Sequence, residues 1–207
     1  MAKLKKKEDA STEEKIKQAA RKLFTEKGFD AVKTRDIAAE AEINLALLNY
    51  YFRSKQKLFD VIMIENFQQF IQQLIPVLGN EELSLDEIMS KVSVNYIDML
   101  QRNPDLPFFI LNEMKNDASK LIHVREKMLE VRNGFLKRVE KAMKDEKISP
   151  VHVGHLMMNF MGLVIFPFVA KPVLMKVNGF TNKEFDSLME ERKELIPLWL
   201  KAIRKAK

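Results

Sequence analysis

The side chains best suited to recognition chemistry lie between positions 34 and 55. Thr34 and Arg35 open one short helical pattern, and Leu45-Ala46-Leu47-Leu48-Asn49-Tyr50-Tyr51 forms most of a second. A hydroxyl beside the free N–H groups of a helix N-terminus suits a phosphate oxygen. Arg35 suits a phosphate or the edge of guanine, and Asn49 suits the N6/N7 edge of adenine. Leu45, Ala46 and Leu47 bring no side-chain hydrogen bond, but a thymine methyl would accept an exposed leucine. Packing within the domain or against a neighbour is the lesser alternative for the leucines, left open because exposed apolar residues are common.

Other chemistries are poorly represented. The 207 residues contain no Cys, which excludes disulfides, thiolate metal sites and a Cys nucleophile. There is no Gly-rich phosphate loop, no His–Glu metal signature and no G-x-S-x-G elbow. His152 and His155 have i, i+3 spacing but no evident third ligand, so no metal is expected. The chain is expected to need no cofactor and not to be an enzyme. The formal net charge of +6 permits a polyanionic partner without requiring one. Residues 1–60 hold 14 Lys and Arg against 10 Asp and Glu, so most of the excess lies beside the recognition residues. The lack of Cys also fits a reducing cytoplasm, the expected location.

The elements that must position these residues read as helices from end to end. Ser11-Thr12-Glu13-Glu14 has capping-box spacing, and Ile16, Ala19, Ala20, Leu23 and Phe24 follow with helical period before Gly28 supplies a left-handed stop. Thr34 is expected to cap a short helix through Ala41, and Asn44 another through Tyr51. Ser54 starts a longer helix that carries Leu58, Ile62, Phe67 and Phe70 as far as Pro76. Ser84-Leu85-Asp86-Glu87 and Thr181-Asn182-Lys183-Glu184 repeat the capping-box spacing, and Pro150 suits a first helical position. Asn103-Pro104-Asp105, Pro167 and Pro172 are expected to separate helices. No alternating segment of useful length and no internal repeat appears, so the fold class is all-α. The expected division is a basic flexible tail over 1–10, a three-helix helix-turn-helix domain over 11–56, and a larger helical domain over 57–207. The Lys-rich start, Lys3 and Lys5-Lys6-Lys7, reads as a solvated tail, or as an arm that reaches DNA.

Thr34-Arg35-Asp36-Ile37-Ala38-Ala39-Glu40-Ala41, then Ile43, then Leu48-Asn49-Tyr50-Tyr51-Phe52-Arg53-Ser54-Lys55-Gln56-Lys57-Leu58, resembles the DNA-binding domain of TetR-family transcriptional regulators. Ala19-Ala20-Arg21-Lys22-Leu23-Phe24-Thr25-Glu26-Lys27-Gly28-Phe29 is similar to that family's first helix and its glycine stop. The resemblance implies a homodimer on a palindromic double-stranded operator, commonly a repressor that a small molecule releases. It places Leu45, Ala46, Leu47 and Asn49 toward the groove and Tyr50, Tyr51 and Lys55 toward the phosphate backbone, with Thr34, Arg35 and Asn44 as further candidate DNA contacts. Two departures from the family pattern fall in the turn: Glu42 stands where glycine is usual, and Asn44 replaces Ser. A third is Asn49, which replaces a frequent Tyr.

The remainder of the chain is Met- and Phe-rich and nearly balanced in charge. The resemblance implies that the last two long helices, about 150–168 and 182–204, pair with their counterparts in a dimer; Leu188, Leu195, Leu198, Trp199 and Ala202 form one apolar stripe suited to this. An unidentified small ligand would lie among the central helices, with Tyr96, Phe109, Met114, His123, His155, Met158 and Asn159 as candidate contacts and Asn112 and His152 as further polar groups. The 148–170 run carries no charge and is long enough to cross a bilayer, but Ser149, Pro150, His152, His155, Asn159 and Pro167 interrupt it. It reads as a helix buried in the protein or at a subunit interface, with no membrane partner. The competing reading of the whole chain is a helical interaction protein without sequence-specific DNA binding.

Overall fold

The computed structural model describes the backbone of residues 2–116, 122–145 and 153–205, and the side chains of 11–112, 126–142, 144–145 and 153–204. Among the described residues every regular element is an α-helix, and two compact units are present, Met1–Asn66 and Phe67–Lys207. The division falls inside a helix, whereas the composition suggested a cut at 56/57.

The first unit contains α1 (Ala2–Lys27), α2 (Thr34–Glu40), α3 (Leu45–Phe52) and the first half of α4 (Lys55–Gly79). Helix α1 runs through the Ser11 capping box without starting there, and residues 2–10 are helical. Gly28 ends it at φ 78, its N–H donating to Phe24 O at 2.9 Å. The core is built from Ile16, Ala20, Leu23 and Phe24 on α1, Ile37 and Ala38 on α2, Leu48 and Phe52 on α3, and Leu58, Phe59 and Ile62 on α4. The small Ala38 and Ala41 lie on the buried side of the close α2–α3 turn.

Buried charge also ties α1 to α4. Lys17 donates to Glu65 at 2.7 Å and pairs with Glu14 at 2.9 Å, while Arg21 bonds both Glu65 and Glu14. Burial alone would depress the Lys17 ammonium, yet its hydrogen bonds to Glu65 and Glu14 hold it above its ordinary range.

The second unit contains the rest of α4, then α5 (Leu85–Arg102), α6 (Leu106–Asn116), α7 (Ile122–Asp145), α8 (Val153–Asn178) and α9 (Asn182–Lys205). Ser84 caps α5 as its spacing predicts: Ser84 Oγ accepts from Glu87 N at 3.3 Å, and Glu87 Oε2 accepts from Ser84 N at 2.8 Å. Thr181 and Glu184 repeat the arrangement before α9. The Asn103-Pro104-Asp105 break separates α5 from α6.

The other prolines behave differently. Pro76, Pro167, Pro172 and Pro197 all lie inside helices. An internal proline removes one backbone donor and strains the preceding turn, yet each of these helices continues through it. The Ser149–Pro150 start lies outside the described residues.

Helix α9 packs one face on α5, burying Phe185, Met189, Ile196 and Leu200. Asp86 of α5 pairs with Lys201 at 2.6 Å and with Arg204 at 2.8 Å, and Asp98 pairs with Lys193 at 2.6 Å. Helix α8 is long and apolar enough to cross a membrane by composition alone. Of the two sequence readings, burial inside the chain is met only in part: 28% of its most apolar window is covered within the chain. Phe166, Val173 and Val177 stand exposed on it, next to the exposed Leu188, Leu198 and Trp199 of α9.

Candidate nucleic-acid interface and effector cavity

The turn between α2 and α3 is held by three backbone bonds and a side-chain cap. Ala41 N–H reaches Ile37 O at 2.9 Å, Glu42 N–H reaches Ala39 O at 3.1 Å, and Ile43 N–H reaches Ala38 O at 3.0 Å. The last two are the crossed bonds of a Schellman motif, which needs a left-handed residue between them. Glu42 occupies that position at φ 55, so the shape of the turn is kept and the departure from glycine appears as backbone strain. Asn44 then caps α3, its Oδ1 accepting from Leu47 N at 2.8 Å.

These caps fix which way α3 faces. Leu48 is fully buried and Phe52 nearly so, while Ala46, Asn49 and Tyr50 face solvent, Tyr50 being 76% exposed. Leu45, Leu47 and Tyr51 are half-buried, so the leucines are partly covered by the domain instead of standing free in water. Tyr50 and Tyr51 meet edge-on at 5.4 Å. On α2 the N-cap is Lys33, not Thr34; the Asp36 carboxylate accepts from Lys33 N at 3.0 Å. Thr34 is therefore the first helical residue, half-buried, and Arg35 beside it is exposed.

Lys55 is turned inward. Its ammonium donates to Phe29 O at 2.8 Å and Val32 O at 2.9 Å and lies 4.1 Å from the centre of the Phe29 ring. It fastens the α1–α2 loop to the start of α4. Two of its three donors are thereby engaged within the domain, which leaves one for any outside acceptor.

In the second unit a cavity of 340 Å³ lies among α4, α5, α6, α7 and α8. Its walls are almost wholly apolar and include Phe70, Leu74, Met99, Ile110, Phe135 and Met157. Tyr96 lines it, as expected, with its ring 4.5 Å from Phe70 and 6.1 Å from Phe160. The other expected contacts do not meet there. Phe109 is buried elsewhere, His155 and Asn159 are exposed, and Met158 is 63% exposed. On α8 the lining residues are Met157, Phe160, Met161 and Ile165, which share a face rotated away from 155, 158 and 159. The side chains of Met114 and His123, and all of His152, lie outside the described residues. Asn112 is exposed and does not line the cavity. Arg132, the one charged lining residue among those described, was not singled out from the sequence.

A shallower apolar hollow runs between α8 and α9, lined by Leu163, Phe166, Leu188, Leu195 and Trp199 among others. Arg192 bridges the two helices, donating to Leu163 O at 2.7 Å and lying 5.0 Å from the centre of the Trp199 ring.

Residues 16–62 match the family described as bacterial regulatory proteins, tetR family. The chain is 22% identical over 198 residues to "Probable HTH-type transcriptional regulator YttP" of Bacillus subtilis strain 168, covering 93% of this chain and 94% of that one. Its fold is similar to that of a transcriptional regulator of the TetR/AcrR family from Thermobifida fusca, with a TM-score of 0.63 at 17% identity, covering 89% and 96% of the two chains. It is also similar to Salmonella enterica GusR, with a TM-score of 0.59 at 14% identity, covering 95% and 96%.

Proposed function

We propose that this chain, a transcriptional regulator of the TetR family, is a repressor that binds a palindromic operator as a homodimer and is released when a small apolar molecule enters the cavity of its second unit. The observation that carries this reading is the α2–α3 turn. Its Schellman bonds and the Asn44 cap hold Leu48 and Phe52 inward and leave Ala46, Asn49 and Tyr50 on the outward face of a short helix. A helix fixed in this way at a close crossing is the element that enters a major groove.

On this reading Asn49 meets an adenine edge, and Arg35 meets a guanine or a phosphate. The apolar atoms of Leu45, Ala46 and Leu47 lie against thymine methyls. Thr34, Asn44, Tyr50 and Tyr51 border the backbone, and Lys55 keeps the domain in shape instead of touching DNA. Sequence preference then comes from few hydrogen bonds, from methyl contacts and from DNA shape.

The exposed apolar faces of α8 and α9 support dimerisation through these helices. Phe166, Val173, Val177 and Leu198 are each at least 60% exposed, and exposed apolar side chains grouped on two helices suit a partner surface. Such a dimer places its recognition helices about 34–36 Å apart to meet two half-sites. A ligand regulates the dimer by binding one conformation better than another. Helix α4 contributes Leu58 and Ile62 to the first core and Phe70 and Leu74 to the cavity wall, so it is the continuous element through which occupancy acts.

Selection from random duplex DNA tests the proposal. The expected product is palindromic, with half-sites one helical turn apart. Recovery of salt-sensitive, sequence-independent binding alone would overturn it in favour of a helical interaction protein.

A further inference from the structure

We infer that the cavity takes an uncharged molecule, hydrocarbon over most of its surface, whose one oxygen accepts a hydrogen bond from the Tyr96 hydroxyl; the inference rests on reading this cavity as the effector site.

Tyr96 is only 9% exposed, and Phe70 and Phe160 meet its ring edge-on, at interplanar angles of 67° and 73°. The ring is thus wedged, and its hydroxyl cannot swing to water without unpacking both neighbours. Among the described residues Tyr96 Oη makes no hydrogen bond. A hydroxyl held at an apolar cavity wall without a protein partner is costly, and that cost is recovered when a ligand oxygen accepts from it. Burial pushes the phenol up, so it stays a protonated donor near neutral pH. Ser93, on the same helix, is not available, because its hydroxyl already donates to Met89 O at 2.7 Å.

The described walls offer no buried charge. Among the described residues Arg132 is the only charged lining residue, and it is exposed, with a 3.4 Å contact to Asn133 Oδ1. A carboxylate or ammonium drawn inside would lose its hydration without gaining a partner. An anion whose head rests on Arg132 with its tail inward is the competing chemistry, and the test separates the two.

The full chain is titrated calorimetrically with 2-octanone, octanoate and n-octane, using the natural protein, Tyr96→Phe and Arg132→Gln. The expected results are that 2-octanone binds the natural protein more tightly than octanoate does, loses about tenfold in Tyr96→Phe and is unchanged in Arg132→Gln. Binding of n-octane should be unaffected by Tyr96→Phe. A 2-octanone affinity indifferent to Tyr96→Phe overturns the inference, as does tighter octanoate binding that Arg132→Gln abolishes. Should Tyr96→Phe not fold, the carbonyl stretch of 2-octanone bound to the natural protein decides. A hydrogen-bonded frequency supports the inference, and the frequency seen in hydrocarbon solvent overturns it. If neither n-octane nor 2-octanone binds, the effector-site reading itself fails. If n-octane binds and the tyrosine has no effect, only the inference fails.

Discussion

Lys55 and Phe29 meet twice: the ammonium donates to the Phe29 carbonyl at 2.8 Å and stands 4.1 Å from the centre of the Phe29 ring. With Val32 O as a second acceptor, the lysine closes the loop that delivers α2, and Phe29 in turn packs on Phe24 and Phe59. Lys55→Met should therefore lower stability by about 1–2 kcal/mol, since it strips two carbonyls of their donor and the ring of its cation. Urea unfolding measures this as a lower midpoint with unchanged slope. The dependence of DNA affinity on salt should stay the same. A stability unchanged by the substitution, with a log–log salt slope shallower by about 0.9, would instead make Lys55 a phosphate contact.

Glu42 holds φ 55 in the Schellman turn between α2 and α3. A left-handed conformation costs an L-residue roughly 1–2 kcal/mol, while glycine adds unfolded-state freedom that offsets part of the relief. Glu42→Gly should raise stability by about 0.5–1 kcal/mol and leave DNA affinity intact. Glu42→Val should lower stability by at least about 1 kcal/mol, because a β-branched side chain fits that region worst. Equal midpoints for all three proteins in urea would mean that the turn relaxes without strain.

The first unit was legible because its signals are local. Asn44 caps the helix it precedes, Gly28 stops α1, and Ala38 and Ala41 lie where a close crossing needs small residues. Ser84 and Thr181 obey the same logic. Contacts made across tens of residues leave no such trace. Nothing near Lys55 in sequence announces carbonyl partners 23 and 26 residues away. Helix α8 is apolar over most of its surface, so periodicity could not orient it, and His155, Met158 and Asn159 fall on a face other than the one that lines the cavity. Its prolines read as ends because the donor each removes is a local loss, yet Pro167 and Pro172 both lie inside the continuous helix. Tyr96 could be found because α5 is strongly one-sided and the tyrosine falls on the buried stripe with Val92 and Leu100.

Asn49 is the outward residue of α3 with a bidentate hydrogen-bonding edge, one turn before the capping Arg53, whose N–H bonds the Asn49 carbonyl at 2.9 Å. The backbone role of Asn49 survives substitution, so Asn49→Ala isolates the side chain. Affinity for a selected operator should fall by about 1–3 kcal/mol, and one base position per half-site should lose its preference. Binding to a panel of single-base operator variants measures this. Uniform weakening across the panel would instead identify a backbone contact.

Asp86 joins α5 to the end of α9 through Lys201 and Arg204, and Arg204 is only 3% exposed. Burial works against the Asp86 carboxylate, but the hydrogen bond from Lys201 and the charge and hydrogen bond of Arg204 hold it below its ordinary range. A carboxylate depressed in the folded state stabilises fully above its unfolded pKa of about 4, and that contribution is lost as pH falls through the lower folded value. Melting temperature should therefore drop below about pH 4 in the natural protein, and Asp86→Asn should flatten part of that acid limb. At pH 7 the same variant leaves a buried guanidinium without its carboxylate. That change should cost about 2 kcal/mol, less than for a fully buried pair because Asp86 remains partly in solvent. An Asp86→Asn melting profile parallel to that of the natural protein between pH 3 and 7 would show that the pair does not couple to folding, and that the apolar packing of Phe185, Ile196 and Leu200 holds α9 without it.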